Sequence, residues 1–282
     1  MSGVHVVAGV LPTPARRPRI EGSPFVVGIL VAVGTVFLGL PIVALLARAA
    51  LDAPIRAALG SPAIVDALVL SLGTTAASAV LTVVFGTPLA WVLARRRFRG
   101  SSLVETAVDL PLVLPPAVAG IALLLVFGRR GLVGPALEGI GVTVPFTTAA
   151  VVLAQTFVAA PFFVRSARTG FAGVDRDVED AARADGAGGW AVFRHVTAPL
   201  AEAALAGGLV MTWARALGEF GATIMFAGNI EGRTQTLPIA VYAGFQTSLD
   251  ASVAAAAILI VAAFAVLVAV RTLRWRPDLA AR

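Results

Sequence analysis

Cysteine and lysine are absent from all 282 residues, histidine occurs twice, tyrosine once, and charged residues make up only 13% of the chain. The missing cysteine excludes disulfides, thiol catalysis and cysteine metal sites. The two histidines, His5 and His195, fall in a tail and a loop and assemble no transition-metal cluster. The missing lysine excludes a phosphate-binding loop of the form G-x-x-x-x-G-K-S/T, so any ATP-derived energy has to come from another chain. The sequence offers no Ser-His-Asp or Cys-His set, and its carboxylates cluster in loops instead of pairing for acid–base work, which leaves no candidate enzyme active site.

What the chain has is apolar length. Hydrophobic residues make up 58% of it and the mean hydropathy is +0.91, too apolar for a soluble surface. A bilayer core about 30 Å thick takes roughly 20 residues of helix. Five uncharged runs have that length: Phe25 to Ala47, Ala67 to Ala94, Leu110 to Gly128, Gly139 to Val164 and Ala251 to Val270. A sixth span, from about Pro199 to Phe226, is equally apolar but carries Arg215 and Glu219. The expectation is an all-α integral membrane protein with six transmembrane helices.

All 22 basic residues are arginine, and cytoplasmic loops collect positive charge. With six spans, Arg16, Arg17 and Arg19 before the first, Arg95, Arg96, Arg97 and Arg99 after the second, Arg165, Arg168, Arg176, Arg183 and Arg194 after the fourth, and Arg271, Arg274, Arg276 and Arg282 at the end all share one side. The other side receives Arg48, Arg56, Arg129, Arg130 and Arg233. Both termini are therefore expected in the cytoplasm. The net charge of +6 reads as topology, not nucleic-acid binding, because the arginines are divided among juxtamembrane sites. The first apolar run is too long for a cleaved signal and no small-residue cleavage site follows it, so a retained helix is expected after an irregular, proline-rich tail over residues 1–24.

Small residues point to close helix contacts: Gly73 to Ser78 in the second span, and Ala203, Ala204, Gly207 and Gly208 in the fifth. Pro111, Pro115 and Pro116 in the third span and Pro161 in the fourth each remove a backbone donor, consistent with a pore lining or with simple kinks.

Between the fourth and fifth spans lies DRDVEDAARADGAGGWAVFRHVTAP, Asp175 to Pro199, a polar stretch between apolar ones. Asp175 is placed to cap a helix whose first turns carry Asp177, Glu179 and Asp180, favourable near the positive end of the helix dipole. Val178, Ala181 and Ala182 fall on one side as a narrow face of small apolar groups, and Gly186 ends the helix. Trp190, Phe193 and Val196 then repeat every three residues, as in a second short helix. Local chemistry alone fits either an ordinary surface helix or a handle for another protein.

The spacing resembles the loop of bacterial ABC importer permeases, whose pattern is Glu-Ala-Ala, three residues, Gly, nine residues, Ile, one residue, Leu-Pro. The matching positions are Asp180, Ala181, Ala182, Gly186, Val196, Ala198 and Pro199, with Asp180, Val196 and Ala198 departing from the pattern and Glu179 adjoining as a substitute acid. The run from Arg215 through Leu217-Gly218-Glu219-Phe220-Gly221 to Ile230, followed by Gly232 to Pro238, resembles the permease subunits of molybdate importers; sulfate importer permeases share the LGEFG core. The resemblance implies the type I ABC importer permease fold: a six-helix permease domain over residues 25–271, with a coupling loop at 173–199, and a cytoplasmic tail at 272–282. It implies location in a bacterial cell membrane and a coupling role for Glu179, Asp180, Ala181, Ala182, Gly186, Val196 and Pro199. The implied partners are an ABC ATPase that binds ATP and Mg, since this chain holds no cofactor, an extracytoplasmic molybdate-binding protein, and a second permease copy as homodimer.

Arg215 and Glu219, four apart, share a helix face, and charges inside a membrane are costly unless paired or wetted. If the fifth helix starts near Pro199, Arg215 lies about 24 Å along it. The pair is either a gate or anion-attracting cation, or a structural ion pair. Asn229, Thr234, Gln235 and Thr236 beyond it have donors for a tetrahedral dianion, or for a docked binding protein or water. Rival readings are a sulfate or thiosulfate permease, a proton-coupled secondary transporter relying on Glu219, and a non-transporting scaffold.

Overall fold

The structure, a computed structural model, describes residues 24–51, 55–96 and 98–274. Most of the two expected tails, residues 1–23 and 275–282, lies outside the described residues. Two compact units divide the chain after Leu45. The first holds the N-terminal part of α1 (Pro24–Leu51), an apolar helix whose spanning window has no buried residue.

The second unit begins with the end of α1 and continues with α2 (Ile55–Leu59), α3 (Pro62–Arg95), α4 (Ser101–Val113), α5 (Pro116–Phe127), α6 (Gly134–Gly139) and α7 (Thr148–Ala172). A short helix α8 (Arg176–Ala184) follows, then α9 (Gly189–Val192), a π-helical turn at Phe193–Thr197, and α10 (Ala198–Leu200). The chain ends with α11 (Glu202–Leu217), α12 (Gly221–Ala227), α13 (Leu237–Thr247) and α14 (Leu249–Arg274). Every element among the described residues is helical.

Helix α7 is the centre of this unit and packs on α3, α11, α4 and α12. Its buried face carries Ala150, Val151, Ala154, Val158, Phe163, Ala167 and Phe171. Association of helices in lipid relies on close packing and polar contacts, because there is no water to expel. Both are present. A Cβ added at Gly208 of α11 would lie 2.7 Å from the Ser166 Cβ and 3.2 Å from the Phe163 Cα, so only glycine admits this approach. The expected small face of the fifth span is thus used at Gly208, while Gly207 faces open space. On α3, Thr74, Thr75 and Ser78 are buried and Gly73 is open. Thr156 Oγ1 donates to Ser78 Oγ at 3.1 Å, Gln155 Nε2 to Thr75 Oγ1 at 3.4 Å, and Ser166 Oγ to the Ala204 carbonyl at 2.7 Å.

Among the described residues four helices are long and apolar enough to cross a membrane, and a fifth results if the pair bent by 73° at Ala201 counts as one span. Three expected spans differ from the observed elements. The run Leu110 to Gly128 is broken at Leu114, where Pro115 and Pro116 end α4 and restart the chain as α5, so a sixth crossing requires α4 and α5 to traverse together. The run Gly139 to Val164 is displaced: Gly141 at φ +78 and Pro145 shape a turn, Thr147 caps α7 through Ala150 N, and the helix continues through Arg165 and Arg168 to Ala172. The run Pro199 to Phe226 becomes α11 and α12, separated by Gly218, Glu219 and Phe220. Apolar composition tracks what lipid tolerates and not where backbone bonds stop, hence these shifts.

The arginines sort by end within this second unit. Arg95 closes α3, Arg165 and Arg168 lie in the last turns of α7, and Arg176 opens α8. Arg168 reaches Glu105 of α4 at 3.1 Å, and Arg95 reaches Glu179 of α8 at 2.8 Å, which draws these segments to one end. At another place Thr148, the first residue of α7, donates to the Arg233 carbonyl at 2.9 Å. The length of α7 separates the two groups.

Candidate docking loop and ion pair

The loop after α7 folds as its residues dictate. Asp175 accepts from Asp177 N at 3.0 Å and starts α8. At the other end Gly186 sits at φ +92, its N–H bonds the Arg183 carbonyl at 3.0 Å, and Ala187 N bonds the Ala182 carbonyl at 3.0 Å. This double closure is the left-handed helix stop that favours glycine. Gly186→Val is expected to destabilise the stop by about 2 kcal/mol. Amide exchange at residues 185–187 should accelerate roughly tenfold or more, while Gly188→Val, at an ordinary φ of −68 with open space around it, should leave it unchanged. Equal exchange in both variants would remove the argument for Gly186.

Glu179 has an unexpected place. Its side chain is 6% exposed and faces inward, where Oε1 accepts from Arg95 Nη2 at 2.8 Å and from Thr197 Oγ1 at 2.6 Å. Arg183 Nη2 lies 3.7 Å from Oε2, and Arg95 Nη2 also donates to the Val174 carbonyl at 3.1 Å. Glu179 therefore ties α8 to the end of α3 and to the π-helical turn. Asp180 is exposed and pairs with Arg183. Ala181 and Val178 are exposed, Ala182 and Val196 half-buried, and Pro199 is exposed in α10. Trp190, 70% exposed, stacks on Phe193 at 5.6 Å, and Phe193 meets buried Phe171 of α7 at 5.9 Å. The loop is rigidly fastened behind and presents Val178, Asp180, Ala181 and Trp190 outward.

The second candidate lies where α11 gives way to α12. Arg215 is in the last turn of α11, favourable at the negative end of the dipole. With α11 starting at Glu202, it lies about 20 Å along the helix, not the 24 Å that a start at Pro199 implies. Glu219 stands just past the helix end, 1% exposed, with Oε2 2.7 Å from Arg215 Nη2 in an ion contact off the hydrogen-bond direction. Its Oε1 accepts from Ala222 N at 2.7 Å, closing the start of α12. One carboxylate thus joins the two halves of a broken helix.

The loop beyond is closed on itself. The N–H groups of Arg233, Thr234 and Gln235 converge on the Ile230 carbonyl at 3.1, 2.8 and 3.0 Å. Thr234 Oγ1 accepts from Ile230 N at 3.0 Å, and Gln235 Nε2 donates to Asn229 Oδ1 at 2.8 Å. Thr234 and Gln235 are buried and Asn229 is exposed. These side chains spend hydrogen bonds on loop shape, and among the described residues no hydrogen bond or ion pair joins them to Arg215 or Glu219. Arg95 and Thr197 are the site residues that sequence reasoning missed. Arg95 stands in an arginine run that signals only topology, and its partner is 84 positions away.

The fold defines the class: an all-helical membrane protein whose loop after α7 carries a fastened helix with one exposed face. Residues 86–273 match the family described as "Binding-protein-dependent transport system inner membrane component". The molybdenum transport system permease protein ModB of Mycobacterium tuberculosis is 44% identical over 258 residues, covering 91% of this chain and 95% of that one. The sulfate transport system permease protein CysW of Synechococcus elongatus is 39% identical over 195 residues, 68% of each chain. Among solved structures, a bacterial ABC transporter involved in the import of the acidic polysaccharide alginate superposes with a TM-score of 0.69 at 17% identity, covering 90% of this chain and 95% of that one. This chain belongs to the family of binding-protein-dependent transport system inner membrane components. Its fold is the type I ABC importer permease fold, and it is a multi-pass membrane protein.

Proposed function

We propose that this chain is the permease subunit of an ABC importer that brings molybdate into the cytoplasm. The observation that carries this reading is the 44% identity to a molybdenum permease over nearly the whole of both chains. Six crossings, with α4 and α5 traversing together, put both termini and α8 on the cytoplasmic side, as the arginine placement favours. A separate ATPase, holding ATP and Mg, docks on the exposed face of α8, while Glu179 holds α8 from behind. An extracytoplasmic binding protein delivers the oxyanion near the closed loop at residues 229–236. Two copies of the chain enclose the path, and closure of the ATPase pair moves the two α8 helices together, so that the path alternates between its inward and outward openings.

The test is labelled molybdate uptake in cells lacking only this chain, with and without the gene restored. Restored uptake that excess tungstate blocks and excess sulfate leaves intact is expected. The resemblance to a sulfate permease supplies the second reading. Uptake abolished by sulfate would replace molybdate with sulfate, and flux driven by a proton gradient without any ATPase would overturn the importer class.

A further inference from the structure

Where the ends of α3 and α7 meet the starts of α4 and α8, a polar cleft of about 460 Å³ opens, with Arg95, Arg96, Ser101, Glu105, Arg168 and Arg176 in its walls. Its charges do not cancel. Arg168 is paired with Glu105 at 3.1 Å, and Arg95 with Glu179 at 2.8 Å. Of the four arginines in its walls, Arg95 is neutralised by Glu179 from behind and Arg168 by Glu105, while Arg96 and Arg176 carry no ion pair among the described residues, a surplus of two positive charges. Asp175 and Asp177, the acids flanking Arg176, are not among the walls. Arg95, 9% exposed and bonded to Glu179 and the Val174 carbonyl, offers the cleft no donor, but another donor is unspent. The Ser101 hydroxyl makes no hydrogen bond among the described residues and begins α4, whose cap residue Gly100 offers no side-chain acceptor. Planar guanidinium forks, a free hydroxyl and a helix start are the donors that tetrahedral oxyanions take.

We propose that this cleft binds a phosphate group. Arg96 and Arg176, exposed and without an ion pair, share the cleft with the Ser101 hydroxyl, give a dianion or phosphodiester charge-assisted bonds that no single surface arginine offers, and supply the uncompensated charge that draws it in. The cleft sits among residues that flank membrane-spanning helices, so the phosphate comes either from the headgroup of an anionic phospholipid or from free inorganic phosphate. Because Arg95 belongs both to the cleft wall and to the tie on Glu179, an occupied cleft holds the position of α8. The proposal needs neither the cargo nor the ATPase assigned above, and its test involves no transport, so failure of either reading leaves the other standing.

The experiment uses the full chain in lipid nanodiscs, with Arg96→Gln/Arg176→Gln compared against an equal-charge control, Arg56→Gln/Arg130→Gln. In one arm the discs are phosphatidylcholine only and inorganic phosphate is titrated, with binding read by equilibrium dialysis of labelled phosphate. In the other, phosphatidylglycerol is mixed into the discs in phosphate-free buffer, and retained lipid is counted by native mass spectrometry. The native chain and the control should bind in at least one arm, and Arg96→Gln/Arg176→Gln should bind roughly tenfold more weakly there. A signal confined to the lipid arm assigns the headgroup, and a signal in the phosphate arm assigns the free anion. Equal binding by all three proteins, equal losses in both double variants, or no binding in either arm overturns the proposal.

Discussion

Glu179→Met is expected to cost about 3–5 kcal/mol, because it leaves the Arg95 guanidinium buried at 9% exposure without its counter-charge. It also removes the acceptor of the Thr197 hydroxyl. The unpaired cation is the larger penalty, so removing it as well should help. Arg95→Met/Glu179→Met should regain most of the loss, since replacing both members of a buried pair by apolar groups is often near neutral. The measurement is a double-mutant cycle on unfolding of the purified chain, with capture of the ATPase subunit as a second readout. A coupling of about 2 kcal/mol or more is expected. ATPase capture should fall in Glu179→Met and return in the double variant, because the exposed face of α8 proposed above to dock carries Val178, Asp180 and Ala181, not Glu179. A single variant as stable as the native chain, or a double variant no better than the sum of its parts, would sink the role of Glu179 as an anchor.

The docking loop was legible because its information is local. Asp175 as cap, the acidic first turn and the glycine stop act through neighbours within five positions, and all are found in the folded loop. The inward direction of Glu179 was not legible, since it depends on Arg95 and Thr197, which come from α3 and the π-helical turn. Asp180, read as the charged member of the pattern, is the exposed one, and its neighbour is the one the fold consumes.

The membrane helices divide in the same way. Long uniform runs such as Ala67 to Ala94 and Ala251 to Val270, which lie inside the helices Pro62–Arg95 and Leu249–Arg274, were recognisable, because twenty apolar residues have few alternatives in lipid. The interrupted ones were not. Glu219 stood out there only as a charge that needs a partner, with nothing to say that the helix stops, yet the backbone turns at Gly218 to Phe220 and Glu219 bonds the next helix start. Arg165 and Arg168, where a hydropathy reading stops α7, are carried onward in the helix by Asp109 at 3.5 Å and Glu105 at 3.1 Å. Charge ended the apolar run without ending the helix.

That break at Glu219 supports the second large effect. Glu219→Ala is expected to destabilise the chain by about 3–5 kcal/mol, since it strands Arg215 in the membrane domain and removes the acceptor for Ala222 N. Unfolding of the purified chain in detergent would measure it, and a variant within about 0.5 kcal/mol of the native chain would show the pair to be dispensable for folding. Whether the pair also meets the anion is a separate matter, and the two side chains differ: Glu219 is 1% exposed, Arg215 29%. Only Arg215 has a face left for a passing oxyanion. Arg215→Met/Glu219→Met removes both charges and leaves no unpaired ion, so it should fold far better than Glu219→Ala. Uptake by cells carrying it is nevertheless expected to fall to that of cells lacking the chain. A well-folded double variant that still transports would assign the pair to helix packing alone.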